Sequence, residues 1–286
     1  MNRCKPVTLY IGIVLSAPSQ AILLVVGTLN TADIEPKEEH MTLLPTTSQT
    51  KILVVGVMLA AVYAVGNLIA ISGFIGGSGV IASISLAIVI APLFGVLLGP
   101  YRGGMFGLIA GFLGAYISTF VAGVSLIVPT VIFGPAISGF LTGLCTRRKR
   151  YRFPGPLLTA TYLAVIIVLY LIPNASAWWF ILPYALAVVV SLVLQFADIQ
   201  FNPSSERVMK YAQLIPLTFI GTISDFSMMT MGAVYILNIP AIVFGTIIFP
   251  AMLIERTIAT IGSAVVASLV LIAFQDLWSD SNIGMQ

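Results

Sequence analysis

Apolar runs of similar length fill this sequence, at residues 52–70, 81–99, 104–122, 126–146, 156–173, 177–197, 211–235 and 255–275. Each is near the roughly 20 residues an α-helix needs to cross a bilayer. Hydrophobic residues make up 59% of the chain and charged residues 8%, against about 25% charged in a soluble domain. A water-exposed surface cannot be built from such a chain. The fold class expected is all-α: a polytopic transmembrane bundle of about eight spans, forming one domain over residues 51–286 behind an amino-terminal extension, 1–50.

From the second run into the third, Gly95, Gly99, Gly103, Gly107 and Gly111 recur every fourth residue, and Gly139 and Gly143 repeat the spacing. Glycine is a poor helix former in water. In lipid, however, burying apolar side chains no longer drives helices together, and small residues act by letting backbones approach. The stretch "LGPYRGG" (98–104) reads as a tight turn between two helices, with Pro100 ending the first. That puts Arg102 at the membrane surface.

Sidedness follows from the positive charges. With Lys51 inside and the spans alternating, Arg102, the run Arg147-Arg148-Lys149-Arg150, Arg152, Arg207 and Lys210 all fall inside; only Arg256 falls outside, so nine of ten basic residues from position 51 onward agree. Excess Lys and Arg mark cytoplasmic loops, so the Arg147–Arg152 turn is expected in the cytoplasm. Its basic run reads as a topology determinant that also meets anionic lipid headgroups, not as a nucleic-acid site. Ahead of the bundle, residues 7–29 are apolar and follow Arg3 and Lys5. Three readings stand: a ninth helix, a cleaved signal peptide, or a biological start at Met41.

Polar residues inside apolar runs are the candidates for function. Asp225 lies near the middle of 211–235, where an Asp costs about 2.5–3.5 kcal/mol on insertion scales. It reads either as a ligand or coupling group or as a hydrogen-bonded link between helices. Tyr63 and Asn67, one turn apart, offer hydrogen bonds to a ligand or to packing partners. Glu255 and Arg256 read as opening the last span, where Glu255 suits the positive end of the helix dipole. They serve either as an interfacial cap or as the rim of an outward cavity. Trp178 and Trp179 read as an aromatic belt. "ISGFIGGSGV" (71–80) reads as an apolar loop able to roof that cavity, and 238–253, with prolines at 240 and 250, as a re-entrant or surface-lying segment on the same face.

Cys4, Cys145 and the lone His40 match no metal spacing, and no phosphate-binding loop with lysine or Ser/His/Asp set is present. No metal, cofactor or enzymatic activity is expected.

The first helix "ILVVGVMLAAVYAVGNL", the hairpin "LLGPYRGGMFGLIAGFLGAYIS" and the last-helix segment "ERTIATIGSAVVASL" carry a resemblance. From Lys51 on, the chain resembles the membrane-embedded substrate-binding subunit, or S component, of energy-coupling-factor transporters. The resemblance implies uptake of a vitamin or similar micronutrient across the plasma membrane. It also implies a partner transmembrane coupling subunit and two ATPases that drive toppling of the loaded subunit. Ala60 and Ala64 occupy the spacing of the family's Ala-x-x-x-Ala pair, which docks onto the coupling subunit. The rival readings are a self-sufficient ion- or proton-coupled carrier using Asp225, with Arg256 or Glu255 as its counterpart, and a structural membrane protein.

Overall fold

Among the described residues, the long apolar runs are helical except at Ala70–Ile75 and Ile81–Ser85, which are strands. The computed structural model describes residues 47–68, 70–75, 81–121, 129–146, 154–196 and 207–273. These all belong to one unit, Leu44–Gln286. The run 7–29, Met41, residues 76–80 and the basic turn 147–152 lie outside the described residues.

In chain order the elements are α1 (Thr47–Gly66), the strands β1 (Ala70–Ile75) and β2 (Ile81–Ser85), α2 (Ala87–Leu98), α3 (Pro100–Val121) and α4 (Pro129–Thr146). There follow α5 (Gly155–Asn174), a 3₁₀ turn (Ala175–Ile181), α6 (Leu182–Phe196) and α7 (Arg207–Tyr235). The short α8 (Ala241–Val243) leads through a π-helical segment (Phe244–Ile248) into α9 (Phe249–Ala273).

The strands pair antiparallel, Ala70 opposite Ser85 and Ile75 opposite Ile81, with a bulge between Ser72 and Phe74. The expected span 81–99 is therefore part strand. Its helix, α2, has 12 residues, a length of about 18 Å. Hydropathy alone cannot tell a short apolar strand from the first turns of a helix. Ser85 holds the hairpin to the bundle: its hydroxyl donates to Gly66 O at 3.2 Å and accepts from Ala87 N–H at 3.2 Å.

Three helical stretches among the described residues are long and apolar enough to cross a membrane: Gly155–Phe196, Leu214–Tyr235 and Ala241–Ile272. The first, of 42 residues, is no single rod. Ser191 Oγ, late in α6, donates to Pro156 O at the start of α5 at 2.8 Å, so the chain doubles back at the 3₁₀ turn. Ile52–Gly66, Ala87–Leu98 and Thr130–Thr146 are shorter apolar helices.

The last helix also differs from expectation. Residues 238–253 are not a separate re-entrant segment, because helix runs on from Ala241 through the π segment, where Phe249 N–H reaches Phe244 O. Pro250 lacks an N–H and cannot complete the usual ladder; the widened turn lets the helix pass it. Trp179 Nε1 donates to Gly245 O in that segment at 3.1 Å. Its neighbour Phe180 packs with Phe244 and Tyr170, ring centroids 5.1 and 4.8 Å away. Trp179 is thus a structural tie, while Trp178 stays exposed.

The glycine row brings backbones together as its spacing implies. Gly99 has φ 79°, a left-handed conformation glycine favours, and it joins α2 to α3 by itself. Pro100 then begins α3 rather than merely ending α2, and Arg102 is exposed beside it. A methyl group on Gly103 would stand 2.6 Å from Phe94 O, and one on Gly139 would stand 2.6 Å from Gly103 O. Methyls on Gly107 and Gly111 would strike Pro135 O and Ile132 O of α4. Beside this corner runs α7, which supplies buried residues to the α1–α2 cluster and to the α5–α6 cluster. It is the axis of the bundle.

Candidate functional site

α7 and α9 run antiparallel and share a polar seam. Thr218 Oγ1 donates to Thr260 O at 3.1 Å, and the hydroxyls of Thr222 and Thr260 lie 3.1 Å apart. One turn further along, Arg256 crosses from α9. Its Nη1 donates to Thr222 O at 3.0 Å and to Asp225 Oδ2 at 3.3 Å, and its Nη2 to Glu255 Oε1 at 3.3 Å. The guanidinium lies 4.6 Å from the centre of the Phe226 ring, a cation–π contact. Both members of the central pair are buried, Arg256 at 2% and Asp225 at 4% exposure.

Three of the expected site residues, Asp225, Glu255 and Arg256, therefore meet in one cluster. Their placement corrects the sequence reading. Glu255 and Arg256 do not open a helix, so the dipole argument for Glu255 falls away. Arg256 is the eighth residue of α9 and is buried among the helices. An interior guanidinium needs partners, and the Asp225 carboxylate with the Thr222 carbonyl supplies them.

Around Asp225 the packing is close. A methyl on Gly134 of α4 would stand 2.6 Å from Asp225 Oδ1, so a glycine makes room for the carboxylate. Below it, Tyr162 of α5 and Ser227 of α7 bond through their hydroxyls at 2.7 Å, and Tyr184 of α6 and Thr230 of α7 do the same at 2.7 Å.

Tyr63 is buried on α1, within electrostatic reach of Asp225 and Arg256. Asn67 stays out of the charged cluster. Its Nδ2 turns back to donate to Tyr63 O at 3.0 Å, its Oδ1 accepts from Ser85 at 3.5 Å, and its amide fills the notch left by Gly114. Asn67 joins α1 to the hairpin.

Ala60 and Ala64 are each 3% exposed, so they face the chain's own interior. Ala60 belongs to the apolar cluster of Leu59, Tyr63, Ala91 and Phe94. As a docking pair for another subunit they are corrected: the small residues seat α1 on its own neighbours, while Val54, Met58, Val62 and Val65 cover the outward face.

Phe226, Thr222, Thr260 and Gly134 belong to the site although nothing in the sequence reading singled them out. The signal was there. Thr218, Thr222 and Asp225 on α7 are spaced by four and then three residues, as are Arg256, Thr260 and Ser263 on α9. Two polar stripes on one helical period are what an interhelical seam requires. Ser263 extends it to α2 by donating to Val89 O at 2.6 Å.

Comparison with protein-family models, with curated proteins and with solved structures returns no match to this chain.

Proposed function

We propose that this chain is the membrane-embedded substrate-binding component of a vitamin or micronutrient uptake transporter of the energy-coupling-factor type, and that it crosses the plasma membrane about eight times. In this reading the Arg147–Arg152 turn is cytoplasmic. The nutrient binds beside Asp225, Glu255 and Arg256, with Tyr63 within reach, and the chain performs no chemistry. With no phosphate-binding loop in its own sequence, the chain needs partners or an ion gradient to drive uptake; in this reading the energy comes from a partner coupling subunit and its ATPases, contacted elsewhere than through Ala60 and Ala64.

The observation that carries the reading is the charged cluster enclosed among apolar helices. A buried ion pair is weak support for stability, since apolar replacement of such pairs is often neutral or better. Ionisable groups in membrane helices commonly mark a ligand or ion path. Native mass spectrometry of gently extracted protein is expected to find a retained small molecule together with coupling and ATPase subunits. Protein that comes out alone and empty refutes the reading.

One feature favours a second reading. Two carboxylates face one guanidinium, so protonating either one loosens an ion pair, as a proton-coupled carrier requires. Uptake abolished by a proton ionophore while ATP persists would select the carrier. Uptake indifferent to the ionophore selects the ATP-driven transporter.

A further inference from the structure

Among the described residues, Lys51, Arg102, Arg207 and Lys210 all lie within the first two turns of α1, α3 and α7. Deeper in the helices only Asp225, Glu255 and Arg256 are charged. Two carboxylates stand against one guanidinium, so the cluster carries a net negative charge. One carboxylate would suffice to pair Arg256. The second is in excess, and an uncompensated charge among apolar helices is costly.

Each carboxylate is only half engaged. Asp225 gives Oδ2 to Arg256 and Glu255 gives Oε1, both at 3.3 Å. The other oxygens, Asp225 Oδ1 and Glu255 Oε2, accept no hydrogen bond from any described residue, although Asp225 is only 4% exposed. The guanidinium is the closed member of the group. Its side chain is 3% exposed, against 6% for Asp225 and 18% for Glu255. Thr222 O, both carboxylates and the Phe226 ring hold it in place, and its unpaired Nε–H is sealed in the packing. What meets an incoming group is therefore the negative side of the cluster, with Glu255 in front.

That arrangement selects among ligands. An anion is repelled, and a neutral molecule leaves the excess charge as it was. A monocation bearing N–H groups answers both the charge and the free acceptors, through charge-assisted hydrogen bonds. Calcium and magnesium suit the place poorly, because they take about six to eight oxygens and bring a second positive charge. No three acidic, histidine or cysteine side chains gather among the described residues. The hydroxyls of Thr222 and Thr260 are engaged with each other and with helix carbonyls.

We infer that the nutrient is an organic monocation with N–H donors, a primary or secondary ammonium or an amidinium, which seats its charge against Glu255 and Asp225. Arg256 is then a positioning residue: it holds the two carboxylates side by side and does not touch the ligand. This deepens the uptake reading, on which it rests for the cluster's being a binding site, by naming the substrate class.

The test uses the full chain in lipid nanodiscs and three ligands on one skeleton: benzylammonium, benzyl alcohol and benzoate. At neutral pH benzylammonium should raise the unfolding temperature and bind at least about tenfold tighter than the other two, the factor a charge-assisted hydrogen bond supplies. Glu255→Gln makes the cluster neutral. It should erase that preference while the empty protein unfolds no earlier than the wild type. Glu255→Asp keeps the charge and should keep the preference. Equal binding of benzyl alcohol, or a preference that survives Glu255→Gln, overturns the inference. So does an empty Glu255→Gln protein that unfolds earlier, since Glu255 is then a partner that Arg256 requires. Stabilisation by sodium ion or by acid, with none by benzylammonium, gives the place to a metal ion or a proton and overturns it too. Co-purification of ATPase subunits tests the uptake reading alone and the cation preference tests the site alone, so the two can fail separately.

Discussion

Along α3 and α4 the contact is backbone on backbone. Gly103 and Gly107 lie directly against backbone atoms of the neighbouring helices, and Gly111 lies against the Ile132 carbonyl with the Pro135 ring beside it. Along α7 and α9 the contact is side chain on side chain: two threonines, a carboxylate and a guanidinium interlock across the gap. Dispersion serves the first interface, since close backbones make many weak contacts at once. The second gains little stability from its polarity, because interhelical hydrogen bonds in membranes average about 0.6 kcal/mol. The glycine corner is a scaffold with nothing to offer a ligand. The seam keeps a charge where an apolar side chain would hold the helices equally well.

The largest effect expected from breaking this contrast is at Arg256. Arg256→Met leaves two carboxylates without their cation and should cost about 3–5 kcal/mol, read by thermal unfolding in detergent. Adding Asp225→Leu removes the more deeply buried of the two orphaned carboxylates and should recover most of that loss, while ligand retention stays abolished. A double variant as unstable as the single one would mean that the seam is structural after all. Next in size is Gly107→Ala, whose methyl meets the Pro135 carbonyl and should cost about 1–3 kcal/mol by overpacking with ligand retention unchanged. Gly104→Ala is its control. There a methyl would lie 3.4 Å from Phe140 Cβ, an ordinary contact, and stability should hold. Tyr162→Phe gives up the 2.7 Å bond to Ser227 and should cost about 1 kcal/mol in the same assay. No loss there would place that hydroxyl pair outside the seam's support.

The scaffold was far more legible in the sequence than the site. Glycines four apart announce a close backbone approach whatever the partner, and α3 against α4 follows that rule. Where the reading failed, the cause was a property that summed hydropathy does not carry. Ile81–Ser85 is apolar enough for a helix, yet it pairs with Ala70–Ile75 as a strand. Pro240 and Pro250 looked like the bounds of a re-entrant or surface-lying segment, yet only the first precedes a helix start; at the second a π turn carries the helix through. That error put Arg256 at the opening of a helix instead of eight residues into α9, so its pairing with Asp225, 31 residues earlier, entered only through the carrier reading and not from the spacing of the helices. Ala60 and Ala64 show the same limit from another side. A small pair signals a close neighbour without saying whether that neighbour belongs to the same chain.

Gly134 is where the two kinds of interface meet, and it gives the smallest but sharpest expected effect. It lies on α4, the helix of the glycine corner, yet the atom it spares is a side-chain oxygen, Asp225 Oδ1, at 2.6 Å from where a methyl would sit. A carbonyl fixed in a helix cannot retreat; a carboxylate can turn. Gly134→Ala should therefore cost only about 0.5–1 kcal/mol, less than Gly107→Ala. Turning Asp225 disturbs the hydrogen bond from Arg256 Nη1, however, so retained ligand should fall well before stability does. Should Gly134→Ala lower the unfolding temperature as far as Gly107→Ala and leave ligand retention intact, Asp225 is held as rigidly as backbone and works as packing. The separation of scaffold from site would then fail at the residue that joins them.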